Sequence, residues 1–453
     1  MKPAKLIVKN FGPLKDVDIL VTDFLCLIGR QATGKSTIAK LIAIFEDENF
    51  KSDVFEKDLF KYGLNDFINE ETFISYKVDE DNTRSILYFD FVYEGKNIKL
   101  NNFRSYFNHL FEENRNKDSR HDKIDIIDEI SKHLVEGLIN FDDPNTGQKL
   151  TEIFKDITLQ VKNYNVLFQN IKLRLDKNRE GNTNDLDAIS EFSTISKDFE
   201  KLINDYYNRI IDFLKLDSQY IPSERSFLHI IAENTLGLIN NDIKIPKHLL
   251  EIGQEYEKAL NTVKEIPLTI VNKNYKYKRE GKSSNIYHGS NDKVNLLQSA
   301  SGLQSVLPIM LLIEYAKTLK YNYHFNYVVE EPELNIYPET QHNLIKYLVS
   351  NIFDFYANNF QRKKLVITTH SPYILASINN LLLAFKKGKE KPKETHKIIK
   401  RGSWINPQSF NAYELKNGKS YKIMNDKIGQ IKSNIIDTVT DEFSDEFDKL
   451  LSL

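Results

Sequence analysis

Apolar and polar residues alternate along Leu6–Val8 and Val17–Val21, on either side of a turn at Gly12 and Pro13. They then merge into one short apolar run, Phe24–Ile28, that ends at Gly29. Alternation is the period of a half-buried strand, and a brief unbroken apolar run bounded by turn residues reads as a buried one. From Ser36 the spacing changes, with Ile38, Leu41, Ile42 and Phe45 at helical intervals. The opening therefore predicts strand, glycine loop, helix. Between Phe73 and Leu100 the every-second-residue pattern returns in Leu87, Phe89, Phe91 and Tyr93, with a turn at Glu94 and Gly95, and predicts antiparallel strands.

From about Ser105 to Leu216 the periodicity is helical, in one stripe of Ile127, Ile130, Leu134 and Leu138 and another of Ile203, Tyr206, Tyr207, Ile210 and Leu214. Sustained heptads are absent, which predicts a compact helical insertion and not a long coiled coil. Asp142–Gly147 and Lys177–Asp187 read as loops inside it. Pro267–Lys278 alternates as a strand, and Leu296–Lys317 reads as a loop feeding a helix. Apolar strands at Tyr327–Val329 and Leu365–Thr368 flank a helix from Pro338 to about Phe355. A hairpin over Ala412–Ile423, turning at Asn417 and Gly418, and an acidic amphipathic helix carrying Phe443, Phe447, Leu450 and Leu451 complete the pattern. Strand, loop, helix first and strand, helix, strand last predict an α/β core divided by an insertion, with boundaries at 1–104, 105–216 and 217–453. No internal repeat is visible.

Composition narrows the class. The 453 residues are 41% hydrophobic and 28% charged, ordinary for a globular protein with a sizeable core. Lys and Arg total 62 against 64 Asp and Glu, a net charge of −2, so any nucleic-acid contact needs a local patch. A single cysteine, Cys26, excludes disulfide and thiolate-cluster scaffolds within one chain. Met1–Lys9 lacks the apolar stretch of a secretory signal, and no 18-residue apolar run occurs. The expectation is a soluble cytoplasmic protein without a membrane partner.

Gly29, Arg30, Gln31, Ala32, Thr33, Gly34, Lys35 and Ser36 match GxxxxGK[ST]. Its glycines let backbone N–H groups curl around a β-phosphate, the following helix points its positive end at the anion, Lys35 reaches the β- and γ-phosphates, and Ser36 ligates Mg²⁺. Chance occurrence is the competing reading. It is weakened by the motif's position between a predicted strand and a predicted helix. Tyr327–Val329 delivers Glu330 and Glu331 at a strand end, which assigns Glu330 to the metal and Glu331 to polarising the attacking water. A solvated acidic loop is the plainer alternative. Ala300–Gln304 opens an apolar helix with a serine and a glycine, an anion site without its own lysine or else an ordinary helix cap. His370, after the strand Leu365–Thr369, is a candidate hydrogen-bond donor to a γ-phosphate.

Taken in order, these four segments resemble the ABC ATPases, with Ala300–Gln304 compared to the LSGGQ signature. The resemblance is closest to the OLD/RecF/SMC-like ATPases, in Lys9–Pro13 (KNFGP), Ile28–Thr37, Tyr220–Ser226 (YIPSERS), Ser301–Pro308 (SGLQSVLP), Glu330–Pro338 (EEPELNIYP) and Thr368–Pro372 (TTHSP). It implies an ABC-type P-loop ATPase head, a mixed β-sheet with flanking helices and an antiparallel β lobe, carrying the helical insertion. It implies ATP and Mg²⁺ as cofactors, and it adds Asn10 and Thr37 to the nucleotide-binding residues. It also implies a head-to-head dimer, or a higher homo-oligomer, in which Ser301, Gly302 and Gln304 of one copy close on ATP held by Lys35 and Ser36 of another. Asn335–Pro338 would communicate between sites, with Tyr337 where histidine is more usual. Arg225, in YIPSERS, is either a nucleotide or interface contact or a structural salt bridge.

Only 83 residues follow His370, and they lack the clustered carboxylates of a TOPRIM nuclease, while SMC proteins need far longer helical arms. The layout looks most like the stand-alone ATPase subunits of Septu-type and PARIS-type anti-phage systems, which implies a separate nuclease partner of TOPRIM or HNH type. A RecF-like DNA-maintenance factor and a nucleotide-dependent scaffold with little turnover are the alternatives. Tyr275–Arg279 alternates aromatic and basic residues on a predicted strand, and Lys386, Lys387, Lys389, Lys391, Lys393 and Lys397 crowd a predicted loop. Either could contact nucleic acid, or both are solvated surface.

Overall fold

The computed structural model describes residues 3–47, 50–78, 89–102, 148–180, 186–214, 217–233, 245–289, 292–319, 325–353, 363–432 and 435–451. The strands are β1 (Ala4–Phe11), β2 (Leu14–Val21), β3 (Phe24–Ile28), β4 (Phe73–Val78), β5 (Phe89–Glu94), β6 (Asn97–Asn102), β7 (Asp217–Ile221), β8 (Glu265–Pro267), β9 (Tyr275–Glu280), β10 (Ser283–His288), β11 (Asp292–Asn295), β12 (Phe325–Glu330), β13 (Leu365–Thr369), β14 (Phe410–Lys416), β15 (Lys419–Lys422), β16 (Met424–Asn425) and β17 (Gln430–Ile431). The helices are α1 (Lys35–Phe45), α2 (Phe55–Lys61), α3 (Gln148–Glu180), α4 (Leu186–Leu214), α5 (Lys247–Thr262), α6 (Ser301–Thr318), α7 (Pro338–Ile352), α8 (Pro372–Glu390), α9 (Pro392–Ile398) and α10 (Ile435–Leu451).

Eleven strands form one mixed sheet in the order β6-β5-β4-β1-β2-β15-β14-β3-β13-β12-β7. Its parallel half is β14-β3-β13-β12-β7, and the inner strands β3, β13 and β12 are buried on both faces, which is why Phe24–Ile28, Leu365–Ile367 and Tyr327–Val329 are unbroken apolar runs. Strand alternation divides the core between the two faces. Cys26 and Ile28 of β3 join Val329 and Ile367 in one cluster, while Leu25 and Leu27 join Val328 and Val366 in the other. The N-terminal antiparallel strands continue this sheet directly, and a separate four-stranded antiparallel sheet, β11-β10-β9-β8, comes from the second half of the chain.

The hairpin β14–β15 turns at Asn417 and Gly418, both with positive φ (55° and 77°), as a tight two-residue hairpin turn requires. A Cβ at Gly418 would lie 2.8 Å from the Pro13 carbonyl oxygen, and the Gly418 carbonyl accepts from the N–H groups of Lys15 and Asp16. The hairpin tip thus locks onto the β1–β2 turn and closes the sheet between its two halves.

Some local expectations change. Pro267–Lys278 is not one strand: the chain turns after β8, with Val271 and Asn272 N–H groups bonded to Leu268 O, before β9 begins. Lys386–Lys397 is not a loop but the end of α8 and α9, started by Pro392 at its first position. The helices α3 and α4 are separated by five residues, so the interhelix connection is shorter than Lys177–Asp187. Leu87, the stripe Ile127–Leu138 and the loop Asp142–Gly147 lie outside the described residues. No helix among the described residues is long and apolar enough to cross a membrane.

Candidate active site

Three neighbouring parallel strands bring the chemistry to one edge. β3 ends in the P-loop, β13 ends at Thr369 before His370, and β12 ends at Glu330 before Glu331. In register, Glu330 pairs with Thr368 and Thr369 with Ile28. C-terminal strand ends of an open α/β sheet are where such folds place their ligands.

The P-loop needs its glycines for space as well as conformation. Gly29 has φ 153°, and a Cβ there would sit 2.4 Å from the Leu415 carbonyl oxygen; Gly34, at φ 95°, would drive one into Leu14. Ala32 also holds a left-handed φ of 60°. Helix α1 starts at Lys35 with no side-chain cap and no acidic residue in its first turn, so its free N–H groups and positive end face the loop. Arg30 and Gln31 are exposed, Thr33 is half-buried and donates to Arg30 O (2.8 Å), and Thr37 is buried. Lys35 Nζ folds into the loop and donates to Gly29 O and Arg30 O, both at 2.9 Å. Burial pushes its pKa down to about 8 against the opposing pull of Glu331, Glu333 and Glu330.

Glu330 is 3% exposed, and its Oε1 has no hydrogen-bond partner. Burial raises its pKa; the charge of Lys40 and the neighbouring Ser36 and Tyr220 hydroxyls oppose the shift. A buried carboxylate oxygen left over beside a serine hydroxyl is the donor set a small hard cation takes. Glu331 adopts φ 42°, and its Oε1 lies 3.2 Å from His370 Nε2. That hydrogen bond is the main reason the Glu331 carboxyl sits below its ordinary range, despite partial burial. Glu333, which sequence reasoning passed over, turns back into the site. Its Oε1 accepts from Thr369 Oγ1 (2.8 Å) and from the His370 N–H (2.7 Å), fixing the backbone that carries the histidine. Its carboxylate lies only two residues beyond Glu331 in the same acidic segment, a signal available but unused.

Ser301 stands exposed at the start of α6. Ala300, which precedes the helix, offers no capping side chain. Gly302 is required by close approach, since a Cβ would lie 2.7 Å from the Asn335 carbonyl oxygen; Asn335 itself has φ 61°. Signature and Asn335–Pro338 loop therefore touch within one chain. The Gln304 amide is turned the other way, donating to Ser299 O (3.0 Å) and Leu297 O (3.2 Å). Asn10, in β1 just before the β1–β2 turn and with φ 48°, reaches Glu71 Oε2 at 3.4 Å. Among the described hydrogen bonds none joins Ser301, Gln304 or Asn10 to the P-loop.

Arg225 contradicts both sequence alternatives. It is fully buried, so it is no surface contact, and its partners are backbone carbonyls and not a carboxylate: Ser305 O (2.9 Å), Pro222 O (3.2 Å), Glu330 O (2.7 Å) and Glu331 O (2.7 Å). The basic strand is likewise neutralised. Lys276 pairs with Glu265, Lys278 with Glu280, and Arg279 with Glu233. A cavity of about 720 Å³, bordered by Asp58, Lys61, Tyr220, His248 and Lys258, includes none of the expected nucleotide-site residues.

The sequence matches the AAA ATPase domain family over residues 1–375. No curated protein matches it. Similar solved structures include an Smc head domain with an extended coiled coil, bound to the C-terminal domain of ScpA, from Pyrococcus furiosus (10% identity, 93% of this chain and 96% of that one, TM-score 0.35). They include the SMC head domain from Thermotoga maritima (10%, 93% and 98%, 0.37) and the recombination mediator protein RecF-ATPrS of the RecFOR pathway (16%, 93% and 99%, 0.29). The family match runs through the P-loop, the acidic strand end and the histidine alike, and the chain therefore belongs to the AAA ATPase domain family and is an ATPase.

Proposed function

We propose that the protein hydrolyses ATP at a site shared between two copies, and that it does so as the regulatory subunit of an anti-phage system controlling a separate nuclease. The observation that carries the catalytic part is the Glu331–His370 pair at 3.2 Å, set at the same strand-end edge as Lys35. Lys35 leaves its two carbonyl acceptors for the β- and γ-phosphates, and the N–H groups of the loop and of α1 take the remaining charge. Glu331, ionised and held by His370, accepts the proton of the attacking water. His370 then has a hydrogen bond to give to the γ-phosphate side. Ser36 and Glu330 would hold Mg²⁺, which neutralises charge developing on the phosphates. Ser301 and the first N–H groups of α6 form an exposed anion site lacking a lysine, which suits the triphosphate of a second copy. Asn10, Thr37 and Gln304 remain assigned to the nucleotide's surroundings, Gln304 through the loop it braces.

Support for a protein partner is the outer surface of α10, where Phe443, Phe447, Leu450 and Leu451 are each more than 60% exposed. The RecF-like alternative is favoured by one feature, the exposed lysines 386, 387, 389, 391, 393 and 397 on α8 and α9. Steady-state hydrolysis tests the core of the proposal: Lys35→Ala and Glu331→Gln should both fall to background, with Glu331→Gln still binding ATP and accumulating dimers or larger assemblies. Full turnover in both would overturn it. Co-expression with the product of an adjoining nuclease gene should give a complex whose nuclease activity depends on ATP, whereas DNA binding with a steep salt slope and no such complex would favour the alternative.

A further inference from the structure

We infer that Arg225 is a positioning residue that transmits the position of the signature helix α6 to the backbone of Glu331. This rests on the reading of Glu331 as the catalytic carboxylate. One guanidinium spans both elements: Nε donates to Ser305 O in α6, Nη1 to Glu330 O and Nη2 to Glu331 O, joining residues 80, 105 and 106 positions apart. Ser305 lies one turn beyond Ser301, the exposed residue assigned above to the nucleotide of a second copy.

The receiving end is a strained backbone. Glu331 sits at φ 42°, a left-handed conformation that a non-glycine residue keeps only when its surroundings over-determine it. Three groups do so. Its N–H donates to Thr368 O at 2.9 Å from one side, and from the other its carbonyl accepts from Arg225 Nη2 at 2.7 Å and from the Leu334 N–H at 3.0 Å. That conformation aims the carboxylate at His370. Loss of the Arg225 bond would leave the carbonyl to the Leu334 N–H alone, three residues on in the same loop, with no tie to α6, so that the backbone can relax and the carboxylate swing from the water it must polarise.

The sending end is a turn of α6 with one helical hydrogen bond fewer. Pro308 has no N–H, so the Gln304 carbonyl loses its helical partner in the turn next to the Arg225 contact. Only arginine fits: its planar fork reaches acceptors in several directions, whereas a lysine ammonium is a single point that cannot serve α6 and the β12 end together. Its hydrogen-bond acceptors are neutral carbonyls, so a shift of α6 alters the hold on Glu331 without breaking a side-chain hydrogen-bonded ion pair.

Arg225→Lys and Arg225→Met test the assignment, with rates normalised to bound nucleotide so that loss of folded protein does not count. Both should leave the ATP Kd within about twofold and lower kcat at least tenfold, because both lose the hydrogen-bond geometry, the lysine variant while keeping the charge and the methionine variant without it. In the Glu331→Gln background neither should lower the residual rate further. A per-site kcat within twofold of the parent in both variants overturns the inference. If Glu331→Gln itself retains full turnover, the underlying catalytic reading fails instead. A second measurement uses well-folded protein: on ATP loading, amide exchange should slow together at residues 29–37, 301–308 and 330–333. In Ser301→Ala the protection should persist at 29–37 and vanish at both other segments; protection surviving at 330–333 alone overturns the inference.

Discussion

His370 Nε2 lies 3.2 Å from Glu331 Oε1, so the candidate base and the candidate phosphate sensor are paired directly, side chain to side chain. Register explains the encounter: β12 and β13 run parallel with Glu330 opposite Thr368, and each strand releases its functional residue just beyond its end. Glu333 then anchors the His370 N–H from below. The pair keeps the Glu331 carboxyl below its ordinary range, and in the proposed mechanism a γ-phosphate would compete for His370.

Replacing His370 with alanine should therefore do two things. kcat should fall by about 10²-fold, within the range for loss of one transition-state hydrogen-bonding group. The acidic limb of kcat/KM should also move up in pH, because the hydrogen bond that lowers the Glu331 pKa is gone. A pH–rate profile from pH 4 to 9 reads both; an unmoved acidic limb would mean that Glu331 is not the titrating base.

Lys35 gives ATP affinity its own pH dependence. Its pKa in the free protein is pushed down to about 8, and a bound triphosphate raises it, so binding takes up a proton above that pH. Affinity should be flat below about pH 8 and weaken as pH rises through it. Lys35→Arg, which stays charged, should flatten the high-pH limb; titration with a fluorescent ATP analogue at a series of pH values measures this.

Glu330→Gln separates stability from catalysis. Burial raises the Glu330 pKa, so the ionised carboxylate costs stability once pH exceeds the unfolded value, and the cost grows until pH passes the raised folded value. At pH 7.5 without nucleotide the amide variant should melt a few degrees higher than the parent. With ATP, added Mg²⁺ should raise the parent's Tm further but not the variant's, and the variant's kcat should drop at least tenfold. Calorimetry alongside an ATPase assay checks both.

Gly302→Ala addresses the contact between signature and communicating loop. A methyl group 2.7 Å from the Asn335 carbonyl forces the loop or α6 to shift. ATP binding should stay within twofold while ATP-driven association and turnover fall at least tenfold, measurable by light scattering and phosphate release. Unchanged association would remove Gly302 from the interface.

Much of the site was legible because it is local. The P-loop, the apolar strands β3, β12 and β13 and the residues that follow them are each defined by periodicity and short spacing, which backbone geometry converts directly into strand, loop or helix. The β14–β15 hairpin was equally readable from Asn417 and Gly418, since a two-residue turn of that kind demands positive φ. Its insertion between β2 and β3 was not, because strand order depends on which apolar faces meet and not on any local pattern.

The sequence alone determined that this chain carries a phosphate loop and two strand-end carboxylates. Tertiary structure alone decided that Glu331 meets His370, that Glu333 braces it, and that Arg225 binds carbonyls of two distant elements. Backbone carbonyls are present at every residue and leave no mark in the side-chain text. Only packing, which buries the guanidinium and brings together groups about a hundred positions apart, selects which of them it holds.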